Sequence, residues 1–427
     1  MNQIMTPFLI LISVLAVASC SSSSSSPADG DINPASMSVF EDSDAVNELF
    51  GTLTVRNTTP DIDTASQIEV VQAINNFSLD LHRIAAGEAP AEGTIESGYS
   101  AAVALSLAYA GTAGATQSAL ANLLGVDDID ESVLHTTMNA LALALDNRTN
   151  EELILHTANR VFVRPGLSLQ NTYLDVATEH YDAPVVEADF AQQTDEVTRL
   201  VNAWVADQTD DFIPSIIDRF SPTTVFALLN TLFLDAAWQD EYRAVESLDF
   251  NALGGTTITV EGFGGRSDLP IFRSDDLLAI EIPYGGGDIA MLILMPTSIA
   301  DYEVTLDATG VENLVSAMNI RDIEFTVPNW NDEAELDLVD LLTPVGFPAN
   351  PWDFGRMIQG GANLEVFAKQ KARIEVDKDG TRAAAVTIVG ADESVPEFVG
   401  IDSPFVYLIR DRITGLILLT GRVVAPE

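Results

Sequence analysis

Four histidines and one cysteine are the chain's whole stock of imidazole and thiol, so nucleophilic or metal chemistry would have to be built from very few groups. His82, His135, His156 and His180 show no metal-ligand spacing, and no Gly-x-Ser-x-Gly nucleophile turn occurs. The lone Cys20 excludes an internal disulfide and a cysteine metal cluster. Glu375, Asp377, Asp379 and Gly380 imitate the start of a calcium loop, yet Val386 stands where the bidentate glutamate belongs. Gly285-Gly286-Gly287 lacks the lysine and Ser/Thr of a phosphate cradle and reads as a turn. No acid, base and nucleophile set assembles, no cofactor or metal is expected, and each histidine reads as a surface or satisfied core group. An enzyme is the weakest reading.

What the spacing offers instead is backbone chemistry. Leu364, Val366, Ala368, Gln370, Ala372, Ile374 and Val376 alternate with charged residues and Phe367, which predicts a long strand over 364–377 with one buried face. Gln370 is the sole polar side chain on that face and needs a hydrogen-bonding partner, such as Asn230 from a neighbouring strand. Beyond it, Thr381, Ala383, Ala385, Thr387, Val389 and Ala391 are all small or compact and uncharged, while Arg382 lies on the opposite set. Such a stretch can exist as a loop or slide as a strand between two others, uncharged face inward. The competing reading is a helix starting after Asp379, favoured by the run Ala383-Ala384-Ala385 and opposed by the β-branched residues that follow.

The elements around this segment alternate in type. Helical periodicity appears over 68–84 and 100–124, broken by Gly111 and Gly114, and an amphipathic helix over 194–210 places Val197, Leu200, Val201, Trp204 and Val205 on one stripe. Residues 224–238 are nearly all apolar and predict a strand buried on both faces, with Asn230 at its middle. Further strands are expected at 278–283, 289–296 and 323–327, and a hairpin at 405–410 with 415–424.

Charge excludes one partner class: 64 acidic against 20 basic residues, a formal net charge of −44, repel nucleic acid and anionic surfaces. No apolar run after the N-terminus approaches a membrane span. The N-terminus itself has an apolar stretch over 8–18 ending in Val17-Ala18-Ser19-Cys20, which resembles the lipobox of bacterial lipoproteins, although the segment before it carries no Lys or Arg. Cleavage before Cys20 would leave a lipidated N-terminus that attaches the chain to a membrane, and Ser21 suits outer-membrane or cell-surface placement; the competing reading is an ordinary secretory signal. Residues 1–19 are thus read as signal peptide, 20–64 as a flexible tether and weakly ordered region, and 65–427 as the folded domain.

Several segments carry a family resemblance. Asn159-Arg160-Val161-Phe162-Val163, Val201-Asn202-Ala203-Trp204-Val205, Leu229-Asn230-Thr231-Leu232-Phe233, Asp402-Ser403-Pro404-Phe405 and Gly421-Arg422-Val423-Val424 with Pro426 resemble conserved segments of the serpins, over about residues 77–426. Ser97-Gly98-Tyr99-Ser100 resembles the S-P-x-S element of the family's shutter, with glycine for proline, and Gln370 stands for the usual shutter histidine. Trp238 falls at the breach, where the family's bait loop first enters the sheet.

The resemblance implies an α+β fold, a single domain of three β-sheets and about nine helices with an exposed reactive-centre loop. It implies a suicide-substrate inhibitor, expected as a monomer, whose partner is a protease of the serine or cysteine class. The hinge is Gly380, Thr381, Ala383, Ala384 and Ala385; the shutter and breach are Ser97, Ser100, Asn230, Trp238 and Gln370. Counting back from Phe405 puts the scissile bond at Glu393-Ser394, the preferred reading, whereas counting forward from Gly380 gives Ser394-Val395. The rival function is a non-inhibitory serpin-fold binding or adhesion protein on the cell surface.

Overall fold

The computed structural model describes residue 40 and residues 43–53, 55–381 and 396–426; Thr157, Ala158, Asn230 and Thr231 are described by their backbone alone. Cys20, the hinge alanines Ala383, Ala384 and Ala385, and both readings of the scissile bond, Glu393-Ser394 and Ser394-Val395, lie outside the described residues.

The described chain begins with β1 (Val46–Leu49), α1 (Thr64–Glu88), β2 (Thr94–Glu96), α2 (Gly98–Gly111), α3 (Gly114–Leu124) and α4 (Glu131–Asp146). Asp63 starts α1 by accepting from the amides of Ala65 and Ser66. The expected break falls between α2, buried at every residue, and α3, where Gly114 takes a φ of +57°. Next come β3 (Leu153–Val163), α5 (Asn171–Tyr181), β4 (Val185–Ala188), α6 (Thr194–Gln208) and β5 (Phe226–Ala237). The middle of the chain supplies β6 (Arg243–Asn251), β7 (Thr257–Arg273), β8 (Leu277–Pro283), β9 (Ile289–Pro296), α7 (Ile299–Thr305) and α8 (Ala308–Ala317). It is followed by β10 (Asn319–Pro328), β11 (Trp330–Asp337), α9 (Leu338–Leu342), β12 (Trp352–Asp353) and β13 (Asn363–Leu364). The last strands are β14 (Val366–Asp377), β15 (Gly380–Thr381), β16 (Glu397–Gly400), β17 (Phe405–Asp411) and β18 (Ile417–Val423).

Among the described residues these nine α-helices accompany three sheets. The seven-stranded sheet runs β1-β4-β3-β5-β15-β14-β11, the nine-stranded sheet contains the β17–β18 hairpin, and β12 pairs β13 alone. Strand β5 is buried on both faces, as its apolar run predicts. Phe226, Leu228, Leu234 and Ala236 join the main core. Ala227, Leu229 and Phe233 pack on the other side with Val197, Leu200, Val201 and Trp204 of α6.

Two segments differ from their sequence pattern. Residues 43–64 lack hydrophobic periodicity, yet β1 pairs antiparallel with β4 and extends the central sheet. An ion pair holds it there: Glu48 lies 2.9 Å from Arg160, both largely buried, and the Arg160 guanidinium stands over the rings of Phe40 and Trp204. The strand expected over 364–377 begins at Val366, because Leu364 turns aside to pair with Trp352. No helix among the described residues is long and apolar enough to cross a membrane.

Candidate functional site: the split between β5 and β14

The two central strands are parallel neighbours at one end only. Val366, Phe367 and Ala368 pair with Phe226, Ala227 and Leu228, and there the direct ladder stops. At the other end β15 lies between them, antiparallel to both: Gly380 and Thr381 face Ala237 and Ala236 on one side, Asp377 and Val376 on the other. The first two hinge residues are therefore already strand. Gly380 has a φ of +141°, and a Cβ there would stand 2.1 Å from the carbonyl oxygen of Ala236, so only glycine permits this entry.

Aromatic rings build the entry end. Trp238, just after β5, stacks on Tyr284 with centroids 4.6 Å apart and planes 7° from parallel, and on Phe263 at 5.5 Å. Its indole Nε1 donates to the Asp377 carbonyl at 2.8 Å, which ties the end of β5 to the end of β14. Tyr284 and Thr381 are buried, with hydroxyls 2.6 Å apart. Burial raises the Tyr284 phenol far above its usual range, keeping its proton available for that bond. The glycine run beside it is the turn expected between β8 and β9, with Gly286 and Gly287 at positive φ.

Polar side chains hold the closed end. Ser97 caps α2, accepting from the Ser100 amide at 3.1 Å and donating to the Leu418 carbonyl at 2.8 Å. Gln370 grips the Ser97 backbone with both halves of its carboxamide: Oε1 accepts from the Ser97 amide at 3.0 Å and Nε2 donates to its carbonyl at 2.7 Å. The structure gives Gln370 the Ser97 backbone as a partner, and the Asn230 side chain, expected to meet Gln370, lies outside the described residues. Asn230 lies in β5 with its backbone opposite Asn159 of β3. A peptide group offers one donor and one acceptor in the geometry a carboxamide complements, so each half of the Gln370 carboxamide finds a partner on Ser97, with one Nε2 hydrogen and one Oε1 lone pair remaining. Gly98 replaces the family's proline because α1 comes very close: a Cβ there would lie 2.3 Å from Ser78 Cα.

Behind this end, His82 is buried between Glu96 (Nδ1 to Oε2, 3.0 Å) and Glu303 (Nε2 to Oε1, 3.3 Å). Burial presses its pKa down, but Glu96 and Glu303 lift it to about 9. Arg422 closes the cluster on Glu303 at 3.1 Å and donates to the carbonyls of Ala86, Ala89 and Glu92. His135 meets the Tyr181 hydroxyl at 2.6 Å and His156 meets Gln208 at 2.9 Å. No group of three potential metal ligands occurs among the described residues.

The predicted residues thus divide. Gly380, Thr381 and Trp238 meet at one end, Ser97, Ser100 and Gln370 at the other. Tyr284 carries the hinge contact and was not singled out; its only sequence signal was a position beside the glycine turn. At the entry end the central sheet is thus parted, with the two-residue strand β15 seated in the opening.

Comparison with known proteins agrees. The family model "Serpin (serine protease inhibitor)" matches residues 72–426. An uncharacterised serpin-like protein of Thermococcus kodakarensis is 32% identical over 372 residues, covering 84% of this chain and 86% of its own length. Neuroserpin of Homo sapiens is 25% identical over 378 residues, covering 83% and 92%. The native state of tengpin, a thermophilic serpin, has the same fold, with a TM-score of 0.79 at 22% identity over 89% of this chain and 99% of its own. The chain belongs to the serpin family, whose members are typically protease inhibitors and not enzymes.

Proposed function

We propose that this protein is a suicide-substrate inhibitor of serine or cysteine proteases. The seating of Gly380 and Thr381 between β5 and β14 is the observation that carries the reading. Continuing their register would place Ala383 between Leu234 and Ile374, Ala385 between Leu232 and Ala372, and Thr387 between Asn230 and Gln370. Val389 would follow between Leu228 and Ala368, and Ala391 between Phe226 and Val366. The uncharged set meets the buried face of β14 at every step, and Thr387 alone meets the one polar position. Arg382 falls on the opposite set, so no charge enters the core.

The chemistry begins as ordinary proteolysis. The protease nucleophile attacks the carbonyl carbon of Glu393, the bond to Ser394 breaks, and the new amine leaves with a proton while Glu393 stays bound to the enzyme as an ester of its serine or a thioester of its cysteine. Release of that end lets the segment from Arg382 onward enter the split, adding ladder hydrogen bonds on two sides. Carried along by that bond, the protease loses the active-site geometry needed for deacylation. Success depends on insertion outrunning hydrolysis, and a hinge with small inward residues inserts quickly.

Glu393 would suit a glutamate-preferring protease; cleavage at Ser394-Val395 would suit an elastase-like one with a small pocket. Incubation with proteases of several specificities should give a complex that survives boiling in detergent. Mass spectrometry of the released C-terminal peptide then reads the bond, as a fragment starting at Ser394 or at Val395. Only cleaved protein, with no complex for any protease, would favour the non-inhibitory binding role. Attachment through a lipidated Cys20 belongs to the same proposal: Cys20→Ala should move the protein from the membrane to the soluble fraction.

A further inference from the structure

We propose that Tyr284 is the positioning residue of the hinge: its hydroxyl holds Thr381 in the sheet before any protease arrives, so that the first step of insertion is already made at rest. The inference rests on the inhibitory reading for its effect on proteases, but the seat itself is independent of it.

Thr381 is 3% exposed, and its hydroxyl, 2.6 Å from that of Tyr284, would be buried without this bond. An unmade hydrogen bond in such a place costs more than a made one gains, so the Tyr284 hydroxyl favours the seated hinge over one withdrawn into water. Tyr284 is itself held through both its ring and its backbone. Its ring lies flat on Trp238, and its backbone bridges Trp238 directly. Trp238 in turn holds the Asp377 carbonyl at the end of β14. The hydroxyl is thus presented from a rigid stack, at the point where β5, β14 and the β8–β9 turn converge. A seated Gly380-Thr381 leaves Arg382 as the next residue to enter, which shortens the race between insertion and deacylation.

Tyr284→Phe keeps the stack and removes only the bond. It should raise the number of inhibitor molecules consumed per protease trapped by between about twofold and tenfold, the range one buried hydrogen bond supports. Thr381→Val should do the same by leaving the Tyr284 hydroxyl unpaired. The double variant removes both polar groups and should return close to the parent value. Hydrogen exchange at the Gly380 and Thr381 amides in the uncleaved protein reads the seat without any protease: slow in the parent and in the double variant, faster in each single one. An unchanged partition and unchanged exchange in Tyr284→Phe, or a double variant no better than the sum of the singles, overturns the assignment. A parent protein that traps no protease overturns the inhibitory reading instead, and the exchange result still decides the seat.

Discussion

The two ends of the split in the central sheet are held by opposite kinds of commitment. At the entry end, β5 and β14 are already apart, and the residues between them bind through one hydroxyl pair and the backbone ladder of β15. At the closed end the strands pair directly, and Gln370 grips the Ser97 peptide with both halves of its carboxamide. Contacts between the two strands at the first end run largely through β15, with the Trp238 bond to the Asp377 carbonyl beside it; at the second end they join β14 directly to β5 and to Ser97. In the proposed mechanism insertion would therefore have a direction: it would begin where no ladder bond between β5 and β14 has to break, and reach the pairs of β14 with β5 at Val389 and Ala391.

The largest expected effect comes from blocking the open end. Thr381→Arg would force an unpaired guanidinium into the seat facing Ala236 and Val376, and should convert the protein from inhibitor to substrate. Stoichiometry of inhibition equal to the parent's would erase the distinction between the two ends. Gln370→Leu attacks the closed end, leaving the Ser97 amide and carbonyl buried and unpaired. It should cost about 2–4 kcal/mol in chemical denaturation, with the native form converting faster to a loop-inserted one on warming. A loss under about 0.5 kcal/mol would show the clamp to be ornamental.

The closed end should respond to pH in mild alkali. His82 has a pKa of about 9 against an ordinary 6.5, so the fold binds this proton more tightly than the unfolded chain does. Its contribution is complete below about 6.5 and fades as pH rises through about 9. Thermal melts should fall steadily from pH 7 to pH 10, as His82 ceases to balance Glu96 and Glu303; a flat profile would contradict the cluster's role. The smallest change is expected at Ser100, whose amide is bound by Ser97 while its own hydroxyl has no hydrogen-bond partner among the described residues. Ser100→Ala should stay within about 0.5 kcal/mol of the parent by denaturant titration. A larger loss would give Ser100 a share in the clamp.

Alternation along one stretch of chain already marked β14, its inner face and the uncharged set from Thr381 onward, because side-chain direction in a strand follows residue parity alone. The apolar run of β5 and the stripe of α6 were equally visible, since burial on two faces or one leaves a periodic trace. Gln370 could be recognised as a polar residue in need of a partner, but the partner the structure shows could not be read. Its partner Ser97 is 273 residues away, and what binds is the Ser97 backbone, which carries no residue-type signal. The same holds for Tyr284, 97 residues from the hydroxyl it meets, and for β1, whose few polar residues are ordered by an ion pair with Arg160.

What the sequence by itself determined is therefore which faces of β5, β14 and α6 are buried, together with a run of small, uncharged residues after Thr381. Which two strands part, how far the hinge has entered and what grips each end were decided only in the tertiary structure. Those depend on distances between residues remote along the chain, and periodicity has no access to them.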